Sequence, residues 1–249
     1  MKAIGILGYG EIGSSIEKLY RSRGYDIRII DPAKNFDDSF EGVDIINICI
    51  PYSKIFKVIV EDIINHASPK LTIIHSSIPV GTTKSIQDKY VKDAAYSTYV
   101  VHSPVRGNHP DLFYSLKTFV KYIGTDTLIG AKLCAEHFGE IGIEYKYIGS
   151  SKTTELAKLM CTTYYGLCIA WHDEMDKLCK EHGVEFESAV EHWNKTYNEG
   201  YTKMGMSNVV RPVLYPPKGK IGGHCVIPNA KLLRDVIDSN LLNAIIDLE

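Results

Sequence analysis

Ala3-Ile4-Gly5-Ile6-Leu7-Gly8-Tyr9-Gly10-Glu11-Ile12-Gly13 decides the fold of this chain. A short apolar run reads as a strand, passes directly into GxGxxG, and opens the amphipathic pattern Ile12–Arg23. In such a turn Gly8 permits the sharp reversal, Gly10 lets a pyrophosphate approach the backbone, and Gly13 lets the helix pack on the strand. Tyr9, Glu11 and Ile12 complete the loop, and the helix N-terminus turns free N–H groups and a positive dipole end toward a phosphate. Asp31 closes the next apolar run 18 residues after Gly13. An acidic side chain there bonds ribose hydroxyls and repels a 2′-phosphate, which favours NAD, while Arg28 and Lys34 nearby keep NADP open.

Outward from this turn, short β-branched runs alternate with amphipathic ones. Ala3–Leu7, Asp26–Ile30, Asp44–Cys49, Leu71–His75, Tyr96–Val101 and Glu144–Ile148 read as strands, with Phe119–Ile123 as one more. Ile12–Arg23, Lys54–His66, Thr82–Tyr90 and Leu128–Ile141 read as helices. This alternation predicts an α/β fold of Rossmann type, a doubly wound, mostly parallel sheet covered on both faces, over residues 1–150. After Gly149-Ser150-Ser151 the texture changes. From Thr153 to about His182 there is no proline, and Leu156, Leu159, Met160, Thr163, Leu167, Ala170 and Trp171 follow the helical period. A long helix is expected, ended by Gly183, then a helix over Phe186–Tyr197, a loop over Asn208–Pro228, and a helical tail over Ala230–Leu248. Residues 151–249 thus read as a small, mainly helical domain for dimerisation and catalysis. A helix this long links two bodies or two subunits, so a homodimer is expected.

Composition excludes several classes. With 45% hydrophobic and 23% charged residues and a net charge of −2, the chain is an ordinary globular one, with no reason to expect nucleic acid or an anionic membrane as partner. No apolar run approaches the ~20 residues that span a bilayer. The six cysteines form no CxxC, no metal site is expected, and no leader precedes the first strand, so free thiols in a cytoplasmic protein are the natural reading.

In open α/β sheets, ligands sit at the carboxyl ends of strands. Cys49-Ile50-Pro51 and Ser76-Ser77-Ile78-Pro79-Val80-Gly81-Thr82 both follow strands, which places Pro51 and Ser77 beside the nicotinamide half of the cofactor. Thr82 also reads as a helix cap. At the other end, Gly222-Gly223-His224-Cys225 precedes Val226-Ile227-Pro228-Asn229. The double glycine removes bulk, so a substrate can approach the Cys225 sulfur and meet a nucleophile; a glycine turn before a small buried cysteine gives the same letters. His224 polarises the thiol or water, or caps the loop. Lys158 is placed to stabilise a developing alkoxide, with Thr162 one turn on; a solvated helix lysine is the alternative.

Together these pieces resemble the UDP-glucose/GDP-mannose dehydrogenase family: the GxGxxG turn, Ser76–Thr82, Ser103-Pro104, Glu155-Leu156-Ala157-Lys158 and Gly222-Gly223-His224-Cys225. The resemblance implies an NAD-dependent oxidation of a sugar-nucleotide alcohol to a carboxylate, with Cys225 capturing the aldehyde as a thiohemiacetal that becomes a thioester opened by water. It also marks departures. Val105 stands where the family carries glutamate after Ser-Pro, Thr162 where it carries asparagine, and Asn229 where it carries aspartate. His102 or His109 could replace the missing acid–base group, and Arg106 could hold a carboxylate or phosphate. Only residues 226–249 follow Cys225, whereas the family continues into a further nucleotide-binding α/β domain; the substrate is smaller or otherwise anchored, another chain supplies that domain, or the sequence is truncated. The expectation is an NAD-dependent dehydrogenase acting on a sugar-like or anionic alcohol. Its alternatives are a two-electron enzyme like the 3-hydroxyacid dehydrogenases and a non-catalytic NAD-binding subunit.

Overall fold

The computed structural model describes residues 2–90, 98–107, 110, 112–217, 219–220 and 225–249. It divides into two compact units, Met1–Lys158 and Leu159–Glu249. In the first, β1 (Ala3–Leu7), β2 (Asp26–Asp31), β3 (Phe36–Asp37), β4 (Ile45–Ile48), β5 (Leu71–Ile74) and β6 (Tyr99–His102) form one sheet in the order β3-β2-β1-β4-β5-β6. Every pairing is parallel except that of the two-residue edge strand β3 with β2. This is a Rossmann-type α/β fold. From β1 the chain goes outward to β2 and then crosses to β4 on the other side, so the order reverses between β1 and β4 and a crevice opens at their carboxyl ends.

The register levels that edge. Leu7 pairs with Ile30 and Ile48, Ile48 with Ile74, and Ile74 with His102. The segments that begin at Gly8, Pro32, Cys49, His75 and Ser103 therefore start along one edge. Side chains alternate across the sheet. Ile4 and Ile6 join Ile16, Leu19 and Tyr20 of α1 (Glu11–Arg21) and Phe138 of α5 (Leu128–Glu140) on one face. Leu7, Ile46 and Ile48 join Phe56, Val60 and Ile64 of α2 (Phe56–Ala67) and Ile86 of α3 (Thr82–Tyr90) on the other. Each aliphatic side chain fully buried this way contributes about 1.5–3 kcal/mol, which holds the loop-bearing edge on a rigid base.

Four features differ from the sequence reading of this unit, the first being β3, which at two residues is too short to show a strand pattern. α4 (Leu112–Thr118) went unseen because it is seven residues long, too short to show a helical period. β7 (Lys121–Ile123) and β8 (Tyr145–Tyr147) pair parallel with each other as a separate two-stranded sheet, tied to the main one by an antiparallel bridge between His102 and Gly124. The strand expected over Tyr96–Val101 is β6, shifted to end at His102, and Tyr96 lies outside the described residues.

α6 (Ser151–Glu181) starts in the first unit and continues into the second; its 31 residues make it about 46 Å long. Gly183 follows it with a left-handed φ of +66°. A π-helical turn over Glu187–Glu191 leads into α7 (His192–Lys203). The expected tail helix is two helices, α8 (Val226–Arg234) and α9 (Asn240–Ile246), because Ser239 is extended at φ −152°. α8 also begins inside the expected loop. Pro228 lies in its first turn, where a missing N–H costs nothing, so a residue that reads as a breaker is instead a helix starter. Within this unit α6 lies against α8 and α9 at Gly166, where a Cβ would come within 2.6 Å of Val226 and 3.2 Å of Ile245.

Candidate active site

The loop after β1 has three glycines in three different environments. Gly8 has φ +91°, and a Cβ on it would stand 2.8 Å from Ile50 Cγ2, in the loop after β4. A Cβ on Gly13 would stand 2.0 Å from the Gly8 carbonyl oxygen, so helix and loop touch there with no room for any side chain. Around Gly10 nothing lies within 4 Å of a Cβ. Gly10 is also the N-cap of α1, with no side-chain cap, so the first N–H groups of the helix keep no side-chain partner from that position. Two glycines that must be small for the fold flank one that leaves space above the helix end, and together they form an open cradle.

Asp31, at the end of β2, is tied into this cradle. Its Oδ2 accepts the Tyr9 N–H at 2.8 Å, and Lys34 Nζ donates to the Tyr9 carbonyl at 2.7 Å. The Tyr9 ring packs edge-on to Phe36 at 4.6 Å between centroids. An anchored carboxylate at the tip of β2, beside the glycine turn, is what ribose recognition requires. Glu11 and Ile12 lie in the first turn of α1, and both are partly buried.

Farther along the edge, Pro51 is exposed and Ser77 partly exposed. Ser76 Oγ donates to the Ile50 carbonyl at 2.6 Å, which joins the loops after β4 and β5. Thr82 Oγ1 donates to the Pro79 carbonyl at 2.7 Å. Cys49 is inert: burial pushes its thiol up to about 12. Glu155, in the first turns of α6, is buried, and its carboxylate accepts the Gly81 N–H at 2.5 Å and the Thr83 N–H at 2.8 Å. Burial raises its pKa and these N–H bonds oppose that. Its negative end thus meets the N-terminus of α3 and fastens α6 to the loop after β5.

One turn further, Lys158 Nζ donates to the Val105 carbonyl at 2.9 Å. Val105 is buried, in the loop after β6. Lys158 is therefore held at the same carboxyl edge as the cradle. Thr162 follows one turn later on α6 and is partly exposed. In the second unit Cys225 is partly exposed at the N-cap position of α8, and Asn229, buried on α8, donates its backbone N–H to the Cys225 carbonyl at 3.2 Å. His224, Gly222 and Gly223 lie outside the described residues, as does His109.

His102 is corrected as an acid–base candidate. It has no exposed surface, its Nε2 donates to the Ser76 carbonyl at 3.1 Å, and its Nδ1 accepts from Thr154 Oγ1 at 2.8 Å. Burial drives its pKa down to about 3, so it is a neutral strut between β6, the Ser76 turn and α6. Arg106 lies over the rings of Phe119 and Tyr122, at 5.5 and 5.2 Å from their centroids. Sequence reasoning missed Lys121. It is buried at the start of β7, and its Nζ donates to the Ser103 carbonyl and lies 3.1 Å from His75 Nδ1. Among the described residues no group of three or more His, Cys, Asp or Glu could hold a metal ion. No helix there is long and apolar enough to cross a membrane.

The fold and the sequence both have known relatives. The UDP-N-acetyl-D-mannosamine dehydrogenase of Methanocaldococcus jannaschii is 30% identical over 180 residues, which are 68% of this chain and 39% of that protein. The chain is a relative of the nucleotide-sugar dehydrogenases. The match spans less than half the length of that protein. The structure of the UDP-D-ManNAc dehydrogenase from Pyrococcus horikoshii superposes with a TM-score of 0.78 at 20% identity, covering 99% of this chain and 68% of that one. The 3-hydroxyisobutyrate dehydrogenase of Mycobacterium tuberculosis superposes with a TM-score of 0.73 at 15% identity, covering 99% and 92%. At these identities the two structures show a shared fold. No family model matches the chain.

Proposed function

We propose that the chain is an NAD-dependent dehydrogenase that oxidises an alcohol of a sugar-like or anionic substrate. The observation that carries this reading is the shared edge: the glycine cradle after β1, the anchored Asp31 carboxylate at the end of β2 and Lys158, held by the loop after β6, all stand along the carboxyl edge of one sheet. Gly8, Tyr9, Gly10, Glu11, Ile12 and Gly13 would hold the pyrophosphate, Asp31 the adenosine ribose, and Pro51 and Ser77 the nicotinamide half. NAD, when bound, supplies the hydride acceptor. Lys158 would stabilise the alkoxide oxygen as the alcohol gives up its proton, with Thr162 as a second donor. Cys225 would add to the aldehyde carbonyl as a thiohemiacetal. After the second oxidation the thioester carbonyl would be opened by water, which returns the thiol and releases the acid. Asn229 and His224 would orient this end of the site. The M. jannaschii relative's name supplies the first substrate to try. NADH formation from UDP-N-acetyl-D-mannosamine and NAD tests the reading, and two NADH per substrate tests the covalent route.

A second reading is favoured by one observation. The M. tuberculosis 3-hydroxyisobutyrate dehydrogenase is matched over 92% of its own length, so this length of chain suffices for the fold of a hydroxyacid dehydrogenase. In that case Lys158 is essential, Cys225 is a bystander, and one NADH forms per substrate.

The same reading includes a homodimer in the cytoplasm. On α6, Met160, Tyr164, Trp171 and Leu178, spaced four, seven and seven apart, are each about half exposed or more. A large apolar stripe on one helix needs a covering surface, and a second copy of the chain is the proposed cover. Light scattering at micromolar concentration checks it, with a monomeric mass counting against it.

A further inference from the structure

Ser151, Thr154, Glu155 and Lys158, on the first turns of α6, have the spacing of one helical face. A helix ordinarily buries such a face with apolar side chains. Here it is polar, and Ser151, Thr154 and Glu155 have almost no exposed surface. A buried polar group needs a partner, and each of the four takes one from a different segment of the first unit. Ser151 Oγ donates to Asp126 Oδ2 at 2.6 Å, after β7. Thr154 Oγ1 lies 2.8 Å from His102 Nδ1, at the end of β6, and a Cβ on Gly124 would stand 2.2 Å from it. Glu155 accepts the Gly81 N–H on Oε2 at 2.5 Å, in the loop after β5, and the Thr83 N–H on Oε1 at 2.8 Å, in the first turn of α3. Lys158 donates to the Val105 carbonyl at 2.9 Å, after β6.

Apolar contact has no direction, so a helix seated on it can slide. Hydrogen bonds constrain both distance and angle, so this face fixes α6 along its own axis. Glu155 differs from the other three in two ways. Both oxygens of its carboxylate are engaged by backbone N–H groups, and within the stripe it is the residue that reaches the loop after β5. Lys158 stands one turn beyond it on the same face. The loop it holds is the one that carries Ser77, assigned above to the nicotinamide half of the cofactor.

We propose that Glu155 is a positioning residue: by holding the Gly81 and Thr83 N–H groups it fixes the start of α6, sets Lys158 against the Val105 carbonyl, and so joins the loop assigned to the nicotinamide to the lysine assigned to the alkoxide. The chemical importance of this link rests on the dehydrogenase reading; the link itself does not. A glutamine at 155 can accept one of the two N–H groups, but its own NH2 then meets the other, donor against donor. The first turns of α6 shift to part them, and Lys158 moves with the helix. A carboxylate that merely capped α3 would, when replaced, disturb Gly81 and Thr83 and leave Val105 alone.

Carbonyl-carbon NMR of the whole 249-residue chain, without cofactor, tests the link. Lys158→Met gives the Val105 carbonyl resonance with its hydrogen bond gone. In Glu155→Gln that resonance should move about half of the way there or more. In Glu155→Asp, which keeps the charge but is one methylene shorter, it should move in the same direction by less. The Ser151 and Thr154 bonds still hold α6 in these variants; should Glu155→Gln not fold, Glu155→Asp is read in the same way. A Val105 carbonyl that keeps its wild-type position while the Gly81 and Thr83 amides move overturns the proposal. With NAD and substrate, Glu155→Gln should lower kcat about tenfold with the Kd for NADH unchanged. It should add nothing to Lys158→Met, because it acts through that residue; losses that multiply in the double variant also overturn the proposal. A chain that binds no NADH would sink the dehydrogenase reading and leave the carbonyl comparison to decide the link.

Discussion

Acid should unfold this protein early, through buried histidines that the fold holds neutral; burial moves His75 well below its ordinary value, and His102 and His137 carry values that can be worked through. His102 has no exposed surface and His137 almost none. Burial lowers them to about 3 and about 4, from an ordinary value of 6.5. His137 also lies 3.9 Å from the Glu140 carboxylate, which favours its charged form. Burial outweighs that, because Lys2 already occupies the carboxylate at 2.7 Å and repels a second cation. The sign follows from proton counting. Below pH 6.5 the unfolded chain binds protons that the native state refuses, so stability falls as pH falls. At about 1.4 kcal/mol per unit, each histidine removes about 2 kcal/mol between pH 6.5 and 5. The pair removes about 4 kcal/mol, a large part of the 5–15 kcal/mol that holds a typical domain. Lost down to their own folded values, the totals are about 5 kcal/mol for His102 and about 3.5 kcal/mol for His137. Urea unfolding followed by circular dichroism at pH 7.5, 6 and 5 measures this directly. His102→Gln, with no titrating ring, should unfold at lower urea throughout but lose about 2 kcal/mol of the pH dependence between pH 6.5 and 5. A stability that stays level from pH 7.5 to 5, or a slope unchanged in His102→Gln, would refute the account.

Other consequences are narrower. Gly13→Ala puts a methyl 2.0 Å from the Gly8 carbonyl oxygen, so NADH binding should be undetectable by fluorescence and the melting temperature should drop. Asp31→Ala removes the acceptor of the Tyr9 N–H and the charge that repels a 2′-phosphate; NADP/NAD preference should rise about tenfold or more, about 1.4 kcal/mol, in paired binding titrations. Lys158→Met should lower kcat by on the order of a hundredfold, about 2.7 kcal/mol, with the Kd for NADH unchanged. Cys225→Ala should abolish the second NADH while leaving cofactor binding intact; full four-electron turnover by that variant removes the covalent route.

What the sequence showed and what it hid follow from the range of the interactions. The turn Gly8–Gly13 and Asp31 were legible because strand, glycines and helix are consecutive, and the acid follows at a fixed distance. The long helix was legible from periodicity alone, to within two residues at its start. Lys121 was not. In Phe119–Ile123 it reads as an exposed strand lysine, and it is buried only because β7 lies beside the ends of β5 and β6, an arrangement with no local signature. His102 misled for the same reason. A histidine in a polar run suggests catalysis, yet Thr154, 52 residues away, and the Ser76 carbonyl consume both of its nitrogens. Pro228 misled by its position in a first turn.

The empty surroundings of Gly10 make a clean dissection possible. Its φ of −71° suits any L-residue and no neighbour would meet a methyl, so alanine there should keep the fold at a cost of about 1 kcal/mol or less for the poorer N-cap while it fills the space left for a phosphate. Such a variant would be a cofactor-blind twin of the native protein. Placed in cells, it would separate whatever the chain does by mere presence from whatever it does by turnover.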